Sequence, residues 1–472
     1  MKKYIFGLAA VSMLFAACSS NPEGPEPGPD PEVGGGNTEA AAFAAVAANS
    51  PRFVAATEAG TEVSDQEKGG GWILPPCYEN QTGRYYSATG IAFGEAADGT
   101  ETVYVSWHSN RYGDEGVVLD DEGTEDPEWW YGGTNGSDEP SLDPNKTWSG
   151  YVDVVTVNPA NMEAAELNGM YVKIDNEFKY NHVTYYNGNI YLAATSQTVG
   201  AALYVVPTEG ASLKADDAYR VNLTGNSANC VTVVNGKLVT VSGRTKGGVN
   251  VFDLDDVTDQ SAKQISGSVE NYGGKYACSD NTYVYVLRNP EAPVIDIYTT
   301  SMTKTETSIS VVDSEGAAIS LKPINGKNVL AVDDNYVYVC CGRNGLHAYN
   351  KTTGEYVGSS TKYPKVLDKP YYAANGCFVD DNYIYVATGG GLLILSKELD
   401  GTRFPKVKYP QFTGSAPWLA ATGKNAEDAA KESSNFVVVK NGYAYVAYGM
   451  YGLRIYDLST ILGSAEDDDD EA

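Results

Sequence analysis

The sequence predicts an all-β fold, a seven-bladed β-propeller closed by an N-terminal strand. Three observations lead there. A unit of three strands recurs along the chain, its first hairpin turn returns at roughly constant spacing, and 35 Tyr and 50 Gly in 472 residues suit half-buried strands broken by turns.

The unit is clearest in Asn435–Leu458, NFVVVKNGYAYVAYGMYGLRIYDL. FVVV and YAYVAY alternate β-branched and aromatic residues at period two, Asn441-Gly442 supplies the positive φ of a tight hairpin, and GLRIYDL is the third strand. Val329–Asn350 and Cys377–Leu395 repeat it with Asp-Asn at the turn. With that turn as marker, seven copies align: Asp98-Gly99, Asn187-Gly188, Asn235-Gly236, Asp280-Asn281, Asp334-Asn335, Asp381-Asn382 and Asn441-Gly442. Their first residues are 89, 48, 45, 54, 47 and 60 positions apart, which suits four-stranded blades with variable loops. The interval of 89 is expected to hold a loop insertion, residues 109–149, between a second strand Thr102–His108 and a third strand Gly150–Val157.

After the third strand of the last unit only Ser459–Ala472 remains, ending in the acidic run Glu466–Glu471. A fourth strand for blade seven must therefore come from the N-terminal side, with Arg52–Thr57 as first choice and Trp72–Leu74 as second. Such closure removes an exposed sheet edge.

Ahead of the propeller, assigned to residues 38–472, Lys2 and Lys3 precede an apolar run to Ala17, the pattern of an export signal over residues 1–17. Residues 18–37 hold Cys18 and a Pro/Gly/Glu stretch that predicts a disordered linker reaching about 3 Å per residue. Leu14-Phe15-Ala16-Ala17 before Cys18 resembles the lipobox of bacterial lipoproteins, which implies that Cys18 is lipidated and holds the chain on a membrane, and the acidic residues close behind it resemble the export tags of surface-exposed lipoproteins, which implies the outer membrane at the cell surface. Net charge is −28, which disfavours nucleic acid as a partner.

The repeats resemble those of bacterial seven-bladed propellers. Gly452–Leu458 is similar to the LVIVD-type third strand and Asn335–Glu355 to the quinoprotein type. A quinone cofactor is not implied, because the six Trp stand mostly outside the repeats. Ser141–Trp148 resembles one Asp-box of the sialidase-type propellers, but it is single and lies before strand three. The acidic stretch Asp114–Glu128 could hold Ca²⁺, yet it lacks EF-hand spacing and reads as a solvated loop. No cofactor, metal site or catalytic residue is expected.

Of the cysteines beyond Cys18, Cys230, Cys278 and Cys377 fall in first strands and Cys340 ends a second strand; buried thiols are favoured over bridges, though export permits bridges. His108, His182 and His347 stand in three different blades without a nucleophile motif, the last two alternating as packed residues do.

In an up-and-down blade the strand 2–3 loops and the 4–1 connections share one face, opposite the hairpin markers. The insertion carries Trp129, Trp130, Tyr131 and Trp148, and the connection into blade seven carries Trp418, so both overhang that rim. Counting along each repeat to the 2–3 turn reaches Trp107, Arg244 and Arg343, with Arg288 one place early in blade four. Arginines on three consecutive blades suit an anion. The expected ligand-binding set is therefore Trp107, Arg244, Arg288, Arg343, Trp129, Trp130, Tyr131 and Trp418.

The resemblance to propeller lipoproteins then implies a binding protein, not an enzyme. It would capture a small anionic nutrient (a ferric siderophore, a corrinoid or an acidic glycan) for an outer-membrane TonB-dependent transporter. The alternatives are a protein-binding scaffold in a surface complex and, last, a glycan-active enzyme, which needs two converging carboxylates.

Overall fold

The computed structural model describes residues 53–55, 70–73, 84–95, 99–111, 150–161, 166–175, 177–196, 198–243, 247–265, 272–289, 291–321, 327–342, 344–360, 374–388, 391–408, 434–449 and 453–463. They form seven small sheets, one per blade, in a seven-bladed β-propeller. Blade 1 is Arg84–Phe93, Glu101–Arg111, Gly150–Val157 and Glu166–Val172. Blade 2 is Lys179–Tyr186, Asn189–Ser196 and Gly200–Glu209, with Ser212–Leu213 and Tyr219–Asn222 both paired to the third strand. Blades 3 and 4 open with Ser227–Val234 and Tyr276–Ser279, blades 5 and 6 with Leu330–Val332 and Ala374–Val379, and blade 7 with Phe436–Lys440. Each first strand packs on the first strand of the next blade, and that of blade 7 on that of blade 1, so the ring is closed.

Blade 7 is completed from the N-terminal side, in the opposite order to the expected one. Gly70–Ile73 pairs antiparallel with Leu453–Asp457, and Phe53–Ala55 pairs only with Gly70–Ile73 at the outer edge. The Trp72 segment is the fourth strand, and the Arg52–Thr57 segment contributes a fifth. After Asp457 the chain forms a short helix, Leu458–Gly463, which buries Leu458 and Ile461. No helix among the described residues is long and apolar enough to cross a membrane.

The hairpin markers use two chemistries. In blades 2, 3 and 7 both turn residues are left-handed, Asn187 and Gly188 at φ 45° and 77°, with the same pattern at Asn235-Gly236 and Asn441-Gly442. In blades 4, 5 and 6 a preceding aspartate makes the turn instead. Asp333 Oδ1 accepts the N–H groups of Asn335 and Tyr336 while Oδ2 accepts the Tyr338 hydroxyl; Asp280 and Asp380 do the same two, three and five residues on. Asp280 is therefore the counterpart of Asp333 and Asp380, and the blade 4 marker belongs one residue later, at Asn281-Thr282.

With that register a belt appears at the opposite end of the first strands. In blades 2, 3 and 6 the side chain six places before the marker reaches the carbonyl seven places before the marker in the next blade, and in blade 7 the equivalent asparagine reaches Ala88 of blade 1. Asn181 Nδ2 donates to Ala228 O at 2.7 Å, Asn229 to Gly274 O at 2.6 Å, Asn375 to Ser434 O at 2.7 Å and Asn435 to Ala88 O at 2.7 Å. Thr89 serves the same purpose in blade 1, donating to Tyr180 O at 2.8 Å. The first strands come close enough that a Cβ on Gly376 would stand 2.7 Å from Asn435 O, which is why glycine is needed there.

On the marker face, lysines of the following blade clasp the turn aspartates: Lys351 Nζ lies 2.8 Å from Asp280 and Lys397 Nζ 2.8 Å from Asp333. Burial alone would raise both carboxyls, but the ammonium, two backbone N–H groups and a tyrosine hydroxyl outweigh it and hold each below its ordinary range. Their stabilisation is complete above the unfolded carboxyl value of about 3.9 and is lost as pH falls through the lower folded values. We expect the urea midpoint to drop as pH falls below about 4, and Asp333→Asn to flatten that drop while costing about 2 kcal/mol at neutral pH. An acid limb identical in the variant would contradict this assignment.

Candidate functional site

The belt end of the ring is the face that carries the strand 2–3 loops. At its centre Lys327, in the connection entering blade 5, extends across the axis: its Nζ donates to Asn181 O of blade 2 at 3.0 Å and lies 3.5 Å from Thr89 O of blade 1. Blade 5 is next to neither, so this side chain can reach them only across the axis. One residue deeper, three rings meet. His182 of blade 2, Tyr276 of blade 4 and Phe436 of blade 7 have centroids 5.3 Å (His182–Tyr276), 5.2 Å (His182–Phe436) and 6.5 Å (Tyr276–Phe436) apart. Each stands five places before its marker. They plug the axis, so the mouth around Lys327 is a funnel with a floor.

His182 is 7% exposed, and its Nδ1 faces Val231 O at 3.0 Å, so that nitrogen carries the proton while Nε2 accepts from the Tyr276 hydroxyl at 3.0 Å. Burial, with Lys327 adding to it, pushes its pKa down to about 3 against the opposing Val231 bond. The ring is a neutral packing element, as its alternation in the strand implied. Lys327 is itself pushed well below its ordinary value, first by burial and then by the Lys179 ammonium. His108, in the last third of the second strand of blade 1, is lowered by burial and by Lys327 and Lys179, against an opposing hydrogen bond with Asn181; its Nδ1 is buried without a partner among the described residues. The funnel mouth thus gathers three basic side chains. Such a group can hold an anion, while among the described residues no three His, Cys, Asp or Glu are arranged to bind a metal.

The residues expected at the rim fare differently. Trp107 lies in the core, 1% exposed, with Nε1 donating to Asp153 Oδ2 at 2.9 Å, so its face is not offered to a ligand. Arg288 is already held: Nε lies 2.6 Å from Asp296 Oδ2 and Nη2 3.2 Å from Oδ1, and the guanidinium stands over the Tyr272 ring. The two positions are equivalent. Asp153 pairs with Val105 and Asp296 with Val286, so each carboxylate is reached by the side chain two residues further along the second strand. Counting forward to the loop selected a strand-to-strand clasp. Arg244, Arg343, Trp129, Trp130, Tyr131, Trp148, Trp418 and Cys18 lie outside the described residues, as do Asp114–Glu128 and Ser141–Trp148.

Lys327 and the axial rings were not singled out from sequence. A signal for the rings exists: counting backward from each marker gives Asn at the sixth place in five copies, and the fifth place is then the axial layer. Lys327 carries no comparable signal, because it lies in an irregular connection just before Asn328, which holds the sixth place but donates to Cys340 O of its own blade. Cys230, Cys340, Cys341 and Cys377 are buried and Cys278 half-buried, all as free thiols; burial raises the Cys230 thiol to about 12.

No protein-family model matches the sequence, and no curated protein matches it. Among solved structures the chain is similar to a chain in a crystal structure of the mitotic checkpoint complex, at 12% identity over 65% of this chain and 81% of that one, with a TM-score of 0.43. It is also similar to the computationally designed Ika8 protein, at 10% identity over 79% and 96% of the two chains, with a TM-score of 0.39. Neither likeness bears on the site.

Proposed function

We propose that this propeller is a lipid-anchored binding protein of the outer membrane, which captures a small anionic ligand in the axial funnel and passes it to a TonB-dependent transporter. The observation that carries the binding part is Lys327. In a chain of net charge −28, the ammonium at the centre of the ring faces two neutral carbonyls. Lys237, Lys304, Lys351, Lys397 and Lys440, by contrast, each lie within 3.0 Å of a carboxylate oxygen. The anchoring part rests on the lipobox-like run before Cys18, and the transporter on the resemblance of the repeats to propeller lipoproteins. A rigid ring with a floored, basic mouth is a form in which small ligands are commonly held.

Thermal-shift screening of the detergent-solubilised full chain against ferric siderophores, corrinoids, haem and acidic oligosaccharides tests this reading. A true ligand at one hundred times its Kd adds about 2.7 kcal/mol. Stabilisation by an anionic member of the panel is the expected result, and a flat response to every member would sink the reading. A protein-binding scaffold is the second reading, favoured by the exposed tyrosines Tyr186, Tyr219 and Tyr283, a residue type enriched at interfaces.

A further inference from the structure

We propose that Lys327, Lys179 and His108 form an oxyanion site at the axial mouth, which takes a carboxylate or phosphate group of the ligand. The proposal rests on the funnel being the binding site and adds the recognising chemistry.

Three observations point to an anion as the group this mouth takes. The Lys327 ammonium has three N–H donors, and its partners among the described residues are the Asn181 and Thr89 carbonyls, which leaves one donor unused. Among the described residues this half-buried ammonium is held by carbonyls alone, without the counter-charge that the other lysines named above possess, and an ion without its pair in a desolvated place is costly. Lys179 opens the first strand of blade 2, two residues before the Asn181 whose carbonyl Lys327 grips, which puts a second positive charge at the same end of the ring and pushes the Lys327 pKa further down. Repulsion and desolvation of this kind are relieved together by one negative group set between the cations.

The third observation is His108. It lies towards the 2–3 loop end of its strand, its Nδ1 is buried without a partner among the described residues, and both lysines act on it electrostatically. A neutral imidazole can donate one N–H, which an oxyanion accepts and which a metal or a second cation would not use. The aromatic floor of His182, Tyr276 and Phe436 stops the ligand from passing through, so the charged group enters from this face only.

Titration calorimetry of the full chain with inorganic phosphate and with acetate, each against sodium chloride at equal ionic strength, tests the site. Binding of one or both oxyanions to wild type is expected, with phosphate and acetate separating the two headgroup chemistries. Lys327→Met should weaken binding by about tenfold or more, the scale of one charge-assisted hydrogen bond, and Lys327→Arg should retain most of it. If Lys327→Met does not fold, Lys179→Met carries the test, because it removes a cation without touching the two carbonyl contacts; a loss of about threefold or more is expected. Absence of oxyanion binding by wild type, or affinity unchanged in these variants, overturns the site. A panel ligand that binds Lys327→Met as it binds wild type overturns it too, while leaving the capture reading intact.

Discussion

Replacing Asp296 by alanine is expected to cost about 3 kcal/mol of stability, the lower end of what breaking a buried ion pair costs. Asp296 is 2% exposed and takes Arg288 through two nitrogens and Lys304 Nζ at 2.9 Å. Removing the carboxylate leaves a guanidinium wedged over Tyr272 with no counter-charge and empties the volume between the strands. Lys304 is half in water and Arg288 partly so, which is why the low end of the range applies. Asp296→Asn should cost less, since the amide oxygen still accepts one bond. Equilibrium urea unfolding measures both. A loss below about 1 kcal/mol for the alanine variant would mean that Arg288 is not committed to the blade, and would return it to the rim as a candidate for binding.

Phe436→Ala is expected to cost about 3–5 kcal/mol, the range for removing a buried aromatic ring from a core. The ring is 8% exposed and touches His182 and Tyr276 from blades that are not its neighbours. No side chain of blade 7 alone can refill the axis, so the cavity stays open and the loss should fall at the upper end. The m-value should be unchanged if the ring still unfolds as one unit. Stability within about 1 kcal/mol of wild type would show that the axial rings are not a structural floor, and the blind funnel would go with them.

The fold was legible because its signals are local. Alternation in FVVV and YAYVAY sets which faces are buried, and the hairpin residues set where the chain reverses; both act within a few residues, and the hairpins of blades 2 to 7 fall at or within one residue of the marker positions. The exception is instructive. Asp280-Asn281 reads like Asp334-Asn335, but blade 4 has one aspartate where blades 5 and 6 have two, so pattern alone assigns to the turn the residue whose carboxylate organises it. Trp107 and Arg288 were misplaced for a related reason. An arginine or tryptophan near a strand end looks the same in sequence whether it faces a loop or a buried aspartate on the next strand, since that partner is 46 residues away for Trp107 and 8 for Arg288.

By itself, the sequence determined the number of blades, the place of the hairpins in blades 2 to 7 to within one residue, the start of the third strand of blade 1 at Gly150 and the need for an N-terminal strand in the last blade; the second strand of blade 1 runs to Arg111, three residues beyond the expected His108. Each of these follows from short-range periodicity or from counting strands. Only the tertiary structure decided which N-terminal segment pairs with Leu453–Asp457, which rings meet on the axis, and that Lys327 crosses it to Asn181 and Thr89, contacts 146 and 238 residues apart. Ring closure brings such residues together through the summed geometry of seven sheets, and no stretch of chain short enough to show a pattern contains both partners.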